Sequence, residues 1–145
     1  MTRKLALALS LTASAALIAG GAIAADGGVK LSATMTGAAE RPGPGDPDGT
    51  GTATFRVNPG QNQICYTLTV ANIDPATAAH IHIAPVTAPG PVVVPLAAPT
   101  TGSSSGCATV TRALALALIK NPENYYVNVH NAPFGPGAIR GQLTK

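Results

Sequence analysis

The chain has 145 residues, a length that accommodates one domain and hardly two. Gly (16) and Pro (13) are the poorest helix residues and exclude a long helical bundle, while well-patterned apolar runs exclude disorder. The formal charge of +3 depends on Arg3 and Lys4; without them seven basic residues face six acidic ones, scattered rather than clustered, which argues against a nucleic-acid partner.

Residues 1–25 read as a secretory signal peptide. Arg3 and Lys4 form the positive start, an apolar stretch runs from Leu5 to about Ile18, and Gly20-Gly21 breaks it. Ala22-Ile23-Ala24-Ala25 then supplies the small residues a peptidase needs before Asp26. Ser10, Thr12, Ser14 and the glycine pair weaken the competing reading as a membrane span. No cysteine follows the cleavage point, so a lipid anchor has no attachment there. The expectation is an exported protein, secreted or held in the cell envelope, with no transmembrane segment after cleavage.

The mature chain, 26–145, is expected to be one all-β domain. Val29, Leu31, Ala33 and Met35 alternate with polar or small residues as a half-buried strand does. A long Pro/Gly loop covers 38–49, and its Asp46, Asp48 and nearby Glu40 lack the ordered spacing of a calcium loop, so it reads as a solvated turn. Strands at 50–57 and 63–70 flank the tight turn Asn58-Pro59-Gly60-Gln61-Asn62, the best hairpin in the chain. Further strands are expected at 79–84, 91–96, 106–111, 125–131 and 137–144. Ser103-Ser104-Ser105, between Gly102 and Gly106, reads as a flexible link without the context of a nucleophile. Residues 113–120 alternate like a strand but consist of good helix formers stopped by Asn121-Pro122, which predicts a short helix. Eight short strands and one helix point to an antiparallel sandwich or barrel.

Cys65 and Cys107 each fall in a strand-like run, and an even cysteine count in an exported chain favours one disulfide. The histidines are the most informative residues. In Ala79-His80-Ile81-His82-Ile83 both imidazoles share one strand face and the aliphatic residues take the other. In Tyr125-Tyr126-Val127-Asn128-Val129-His130, residues 126, 128 and 130 form the polar face. Were the two strands neighbours, His80, His82 and His130 would converge, with Asn128 beside them and Arg140 from the next strand as an anion guide. Three neutral imidazoles suit Cu, Zn or Ni with a fourth position open. The alternative is a structural set, hydrogen-bonded across strands to Asn128, Asn131 and loop carbonyls.

The ordered blocks Leu31-Ser32-Ala33-Thr34-Met35-Thr36-Gly37-Ala38-Ala39-Glu40-Arg41-Pro42, Gly49-Thr50-Gly51-Thr52-Ala53-Thr54-Phe55, Ile64-Cys65-Tyr66-Thr67-Leu68-Thr69-Val70, Ala79-His80-Ile81-His82, Tyr125-Tyr126-Val127-Asn128-Val129-His130-Asn131 and Gly137-Ala138-Ile139-Arg140-Gly141-Gln142-Leu143 together resemble the CHRD (chordin-type) domain family. The resemblance covers nearly all of the mature chain. It implies an immunoglobulin-like β fold and little chemistry. A weaker resemblance, to copper–zinc superoxide dismutases, rests on the order His80, His82, His130, Arg140. This chain lacks the fourth, bridging histidine and the zinc-site carboxylate of those enzymes, and its blocks are more closely spaced. That likeness implies a three-histidine copper or zinc site rather than dismutase chemistry. The resulting reading is an exported binding or envelope-associated module, not an enzyme, whose partner is an extracellular or cell-envelope protein or polymer. Its rival is a metal-binding protein using His80, His82 and His130.

Overall fold

The structure is a computed structural model that describes residues 27–145; the expected signal peptide, 1–25, lies outside the described residues. In chain order the elements are β1 (Val29–Thr36), a 3-10 turn (Gly37–Ala39), β2 (Thr50–Asn58), β3 (Gln63–Ala71), β4 (Ala76–Ile83), β5 (Val92–Leu96) and β6 (Ser103–Thr109). The helix α1 (Arg112–Lys120), a second 3-10 turn (Pro122–Asn124), β7 (Tyr125–Asn131) and β8 (Ile139–Gln142) complete the chain.

All eight strands join one antiparallel sheet in the order β5-β4-β7-β8-β1-β2-β3-β6. Of the two architectures expected, the barrel describes it: the apolar faces are buried by one sheet curling on itself. The edges β5 and β6 meet at a seam closed by side chains. The Tyr66 hydroxyl accepts from the Ala97 N–H at 2.8 Å, and the Ser104 hydroxyl donates to the Ala97 carbonyl at 2.7 Å. Closing the sheet limits the edge that another chain could extend.

Period-2 patterning sorts the residues. Leu31, Ala33 and Met35 of β1, Ala53, Phe55 and Val57 of β2, Ile64, Tyr66 and Leu68 of β3, and Val127 and Val129 of β7 fill the interior. Outside, β1, β2, β3 and β6 carry cross-strand rows of hydroxyls, Thr34–Thr52–Thr69–Ser103 and Ser32–Thr54–Thr67–Ser105. Threonine suits such a face because its branched Cβ packs on the pleat while its hydroxyl meets water. In the next row Cys65 and Cys107 sit directly opposite each other, Cα–Cα 3.9 Å, and form the expected disulfide.

The hairpin between β2 and β3 turns where expected, with the Asn58 Oδ1 accepting from the Gly60 and Gln61 N–H groups at 3.0 and 3.1 Å. The helix also forms where its composition predicts. The Thr111 side chain caps it by accepting from the Leu114 N–H at 3.1 Å, and Asn121-Pro122 ends it. It buries Ala115 and Leu118 against the barrel.

Two local expectations need correction. Ser103–Ser105 is not a flexible link: it begins β6, paired with Thr69, Leu68 and Thr67 of β3. Gly106, which follows these serines in β6, lies against the Tyr66 hydroxyl, 3.0 Å from where a Cβ would sit. Ile83 does not join the apolar face with Ala79 and Ile81, and remains 41% exposed. It is the last residue of β4, where the chain leaves the barrel for the loop 84–91.

A three-histidine candidate metal centre

Register brings the sequence-predicted residues together. β4 and β7 are neighbours, pairing Ala78 with His130, His80 with Asn128 and His82 with Tyr126. β8 pairs Asn128 with Arg140 and Tyr126 with Gln142. His80, Asn128 and Arg140 therefore make one row across three strands, while His130 stands diagonal to His80. Diagonal residues on one sheet face are within reach of long side chains. Irregularities accompany the histidine pair, with register shifts before it, between Ala76 and Ala78, and within it, opposite β5, between Ile81 and His82. A bulge of this kind re-aims side chains locally.

The polar face of β7 is not open to solvent as a simple two-faced strand would suggest. Two loops, 84–91 and 132–138, reach over it, and Tyr126 and Asn128 are buried there, while Tyr125, Val127 and Val129 face the barrel interior. The three imidazoles offer ligand nitrogens that all lie within 4.8 Å of one another. Ring centroids are 5.1 Å apart for His80–His130, 5.5 Å for His80–His82 and 6.5 Å for His82–His130.

Hydrogen bonds orient these rings. His82 Nδ1–H donates to the Gly90 carbonyl at 2.8 Å, and His130 Nδ1–H donates to the Gly135 carbonyl at 2.8 Å. A carbonyl only accepts, so both rings carry their proton on Nδ1 and their lone pair on Nε2, which in His130 accepts from His80 Nδ1–H. His130 Nε2 lies 3.2 Å from His80 Nδ1 and 3.1 Å from Asn128 Oδ1. His82 Nε2 is buried with no hydrogen-bond partner. A ring whose far nitrogen is held by a backbone carbonyl is the arrangement in which a histidine ligates a metal. Loading would require His80 to shift its ring proton from Nδ1 to Nε2, a change of tautomer that needs no net proton.

Burial lowers the His80 pKa, and the neighbouring His130 and His82 lower it further. Burial likewise lowers that of His82, partly offset by its hydrogen bond to the Gly90 carbonyl. Both rings thus stay neutral, and available to a cation, to lower pH than free imidazole.

Tyr126 and Glu40 are the residues that sequence reasoning missed. The Tyr126 ring stacks on His82, centroids 4.7 Å apart and planes 5° from parallel, and carries the Arg140 Cζ 3.5 Å from its centroid. Its hydroxyl accepts from the Gly90 N–H at 3.2 Å. Tyr126 already lay on the face shared with Asn128 and His130, which was the available signal. Glu40 follows a 3-10 turn outside any strand, so no periodicity marks it. Expected in a solvated turn, it is instead 3% exposed. Gly137 faces it at φ 156°, and a Cβ there would overlap the carboxyl group.

Burial raises the Glu40 pKa from 4.5 to about 7, against the opposing pull of the Arg41 N–H, the Arg140 charge, the Asn128 side chain and the Arg41 charge. Because the folded form holds this proton more tightly, Glu40 contributes stability that is fully present below about pH 4.5 and lost as pH rises through 7. The shift corresponds to about 3 kcal/mol at pH 8. Urea titrations should therefore find Glu40→Gln more stable than wild type by roughly 2–3 kcal/mol at pH 8, with the difference gone near pH 4.5. An equal gain at both pH values would contradict that origin.

Arg140 does not stand as a free anion guide. It is 1% exposed, and its guanidinium donates to the carbonyls of Ala88 (3.0 Å) and Pro85 (2.9 Å) and to Gln142 Oε1 (3.4 Å). It clamps the loop that holds His82. Asn131 also departs from its expected part: its Oδ1 accepts from the Phe134 N–H at 3.0 Å and so braces the second loop.

A family model described as the CHRD domain matches residues 31–143. No curated protein and no solved structure matches the chain.

Proposed function

The chain belongs to the CHRD domain family, a family of binding-type modules, and from that premise we propose that it is an exported module binding one copper or zinc ion through His80, His82 and His130. The observation that carries the reading is the buried Nε2 of His82, which has no hydrogen-bond partner while its Nδ1 is held by Gly90, in a ring whose ligand nitrogen lies within 4.8 Å of those of His80 and His130. A structural set of histidines would leave no buried lone pair unanswered, since such an atom is destabilising by roughly 1–3 kcal/mol. Three imidazoles without thiolate or carboxylate suit Zn²⁺ and both oxidation states of copper. Export is supported by the leader pattern of 1–25 and by the Cys65–Cys107 disulfide, a bond typical of oxidising compartments. No helix among the described residues is long and apolar enough to cross a membrane.

Titration of purified mature protein with Zn²⁺ or Cu²⁺ tests this. Saturable binding of one ion per chain is expected in wild type, and its loss in His82→Ala. Equal, weak uptake by both proteins removes the metal reading.

The uncharged hydroxyl rows on β1, β2, β3 and β6 favour a second reading, an envelope-associated module that holds an extracellular protein or polymer. Capture from cell-envelope fractions that Thr52→Lys/Thr67→Lys abolishes would support it. A protein that retains no envelope component would remove it.

A further inference from the structure

Donor chemistry leaves zinc and both oxidation states of copper open to the three-histidine centre, and the charges around it separate them. Among the described residues no thiol is free, since both cysteines form the disulfide. Every hydrogen bond of the three imidazoles goes to a backbone carbonyl, to Asn128 or to another imidazole, and none to a carboxylate. Histidines that ligate a divalent ion commonly lean on a carboxylate, which raises the basicity of the ring. Here the neutral carbonyls of Gly90 and Gly135 take that place. The charge that the structure does stack against the site is positive. The Arg140 Cζ lies 3.5 Å from the centroid of the Tyr126 ring, and that ring stacks on His82 with centroids 4.7 Å apart. Arg140 is buried, so water screens its charge little.

We propose that the centre selects monovalent copper, Cu⁺, over Cu²⁺ and Zn²⁺, and that Arg140, stacked on Tyr126 beside His82, sets the preference. The inference rests on the metal reading above and names its ion. Taking an ion out of water costs free energy that rises with the square of its charge, and three neutral donors offer no ion pair to offset it. Repulsion from the guanidinium is likewise twice as large for a divalent ion as for Cu⁺. Cu⁺ is also satisfied by three donors, whereas Zn²⁺ takes a fourth. The penalty falls where His82 presents its Nε2, at a buried atom. Arg140 is a positioning residue for the site: it holds the loop that orients His82, and its charge grades the ions that enter.

The test compares Cu⁺, buffered with bicinchoninate under ascorbate, with Cu²⁺ and Zn²⁺ on purified mature protein. Wild type should bind Cu⁺ more tightly than Cu²⁺. The potential of the bound couple then lies above that of copper ion in water, by about 59 mV for each tenfold of preference. Arg140→Gln removes the charge and Arg140→Lys keeps it. Both loosen the loop and weaken every ion alike, so the readout is the ratio of Cu⁺ to Zn²⁺ affinity. That ratio should stay close to wild type in Arg140→Lys and be about 10-fold smaller in Arg140→Gln. Should Arg140→Gln not fold, the wild-type potential decides alone. A potential at or below that of aqueous copper, or an equal ratio in the two variants, overturns the selectivity, while saturable zinc binding leaves the metal reading standing. A wild-type protein that takes up neither copper nor zinc overturns both.

Discussion

Arg140→Ala should destabilise the protein by about 4 kcal/mol and release the loop 84–91 from the barrel. Truncation empties the largest fully buried side-chain position in the structure and leaves the Pro85 and Ala88 carbonyls without their donors. It also bares the face of Tyr126, over which the guanidinium sits at 3.5 Å. Buried carbonyls that lose a charged donor are destabilising beyond the lost volume. The same loop supplies the Gly90 carbonyl that orients His82, so zinc affinity should fall together with stability. Arg140→Lys keeps the charge but cannot reproduce a planar fork that reaches two carbonyls at once, and should fall between. Urea titration measures the stability, and amide hydrogen exchange at Ala84 and Gly90 measures the loop. A loss below about 1 kcal/mol with loop protection intact would show that Arg140 is no clamp.

Removing the disulfide should have an effect of similar size by a different route. The Cys65–Cys107 bond spans 42 residues of chain, and the entropy it withholds from the unfolded state amounts to about 4 kcal/mol. Cys65→Ala/Cys107→Ala should therefore lower the urea midpoint strongly. Neither β3 nor β6 carries a residue of the histidine site, so zinc affinity of the folded double variant should be unchanged. The pair thus separates stability from binding, whereas Arg140 couples them. A double variant as stable as wild type would mean that the β3–β6 pairing holds without covalent help.

Much of the site was legible before any coordinates, because β-strand geometry is local. His-x-His on a strand places both rings on one side, and Tyr126-x-Asn128-x-His130 does the same. The adjacency of the two strands was a condition that only pairing could meet, and β4 pairs β7 in the register that sets His80 against Asn128. Glu40 lay out of reach of this reasoning, since it follows a turn whose path over Gly137 is set by contacts about a hundred residues away along the chain. Arg140 was placed on the right face with the wrong task. Its position follows from strand period, but its donors are taken by a loop whose course no periodicity describes. Ser103–Ser105 shows the converse: residues with no strand pattern of their own are held in β6 by pairing with Thr67–Thr69 of β3.

By itself, then, the amino-acid order determined the features that depend on near neighbours: an all-β chain, one capped helix, a cysteine pair in strands, and two histidine-bearing faces. The tertiary structure decided what depends on distant segments meeting. It curled the strands into one barrel and brought the nitrogens of three imidazoles within 4.8 Å of one another. It also closed two loops over them and buried the Glu40 carboxyl against Gly137. The division is physical. Side-chain period is written into each strand, whereas protonation, burial and ring orientation arise only when remote parts of the chain exclude water from the same place.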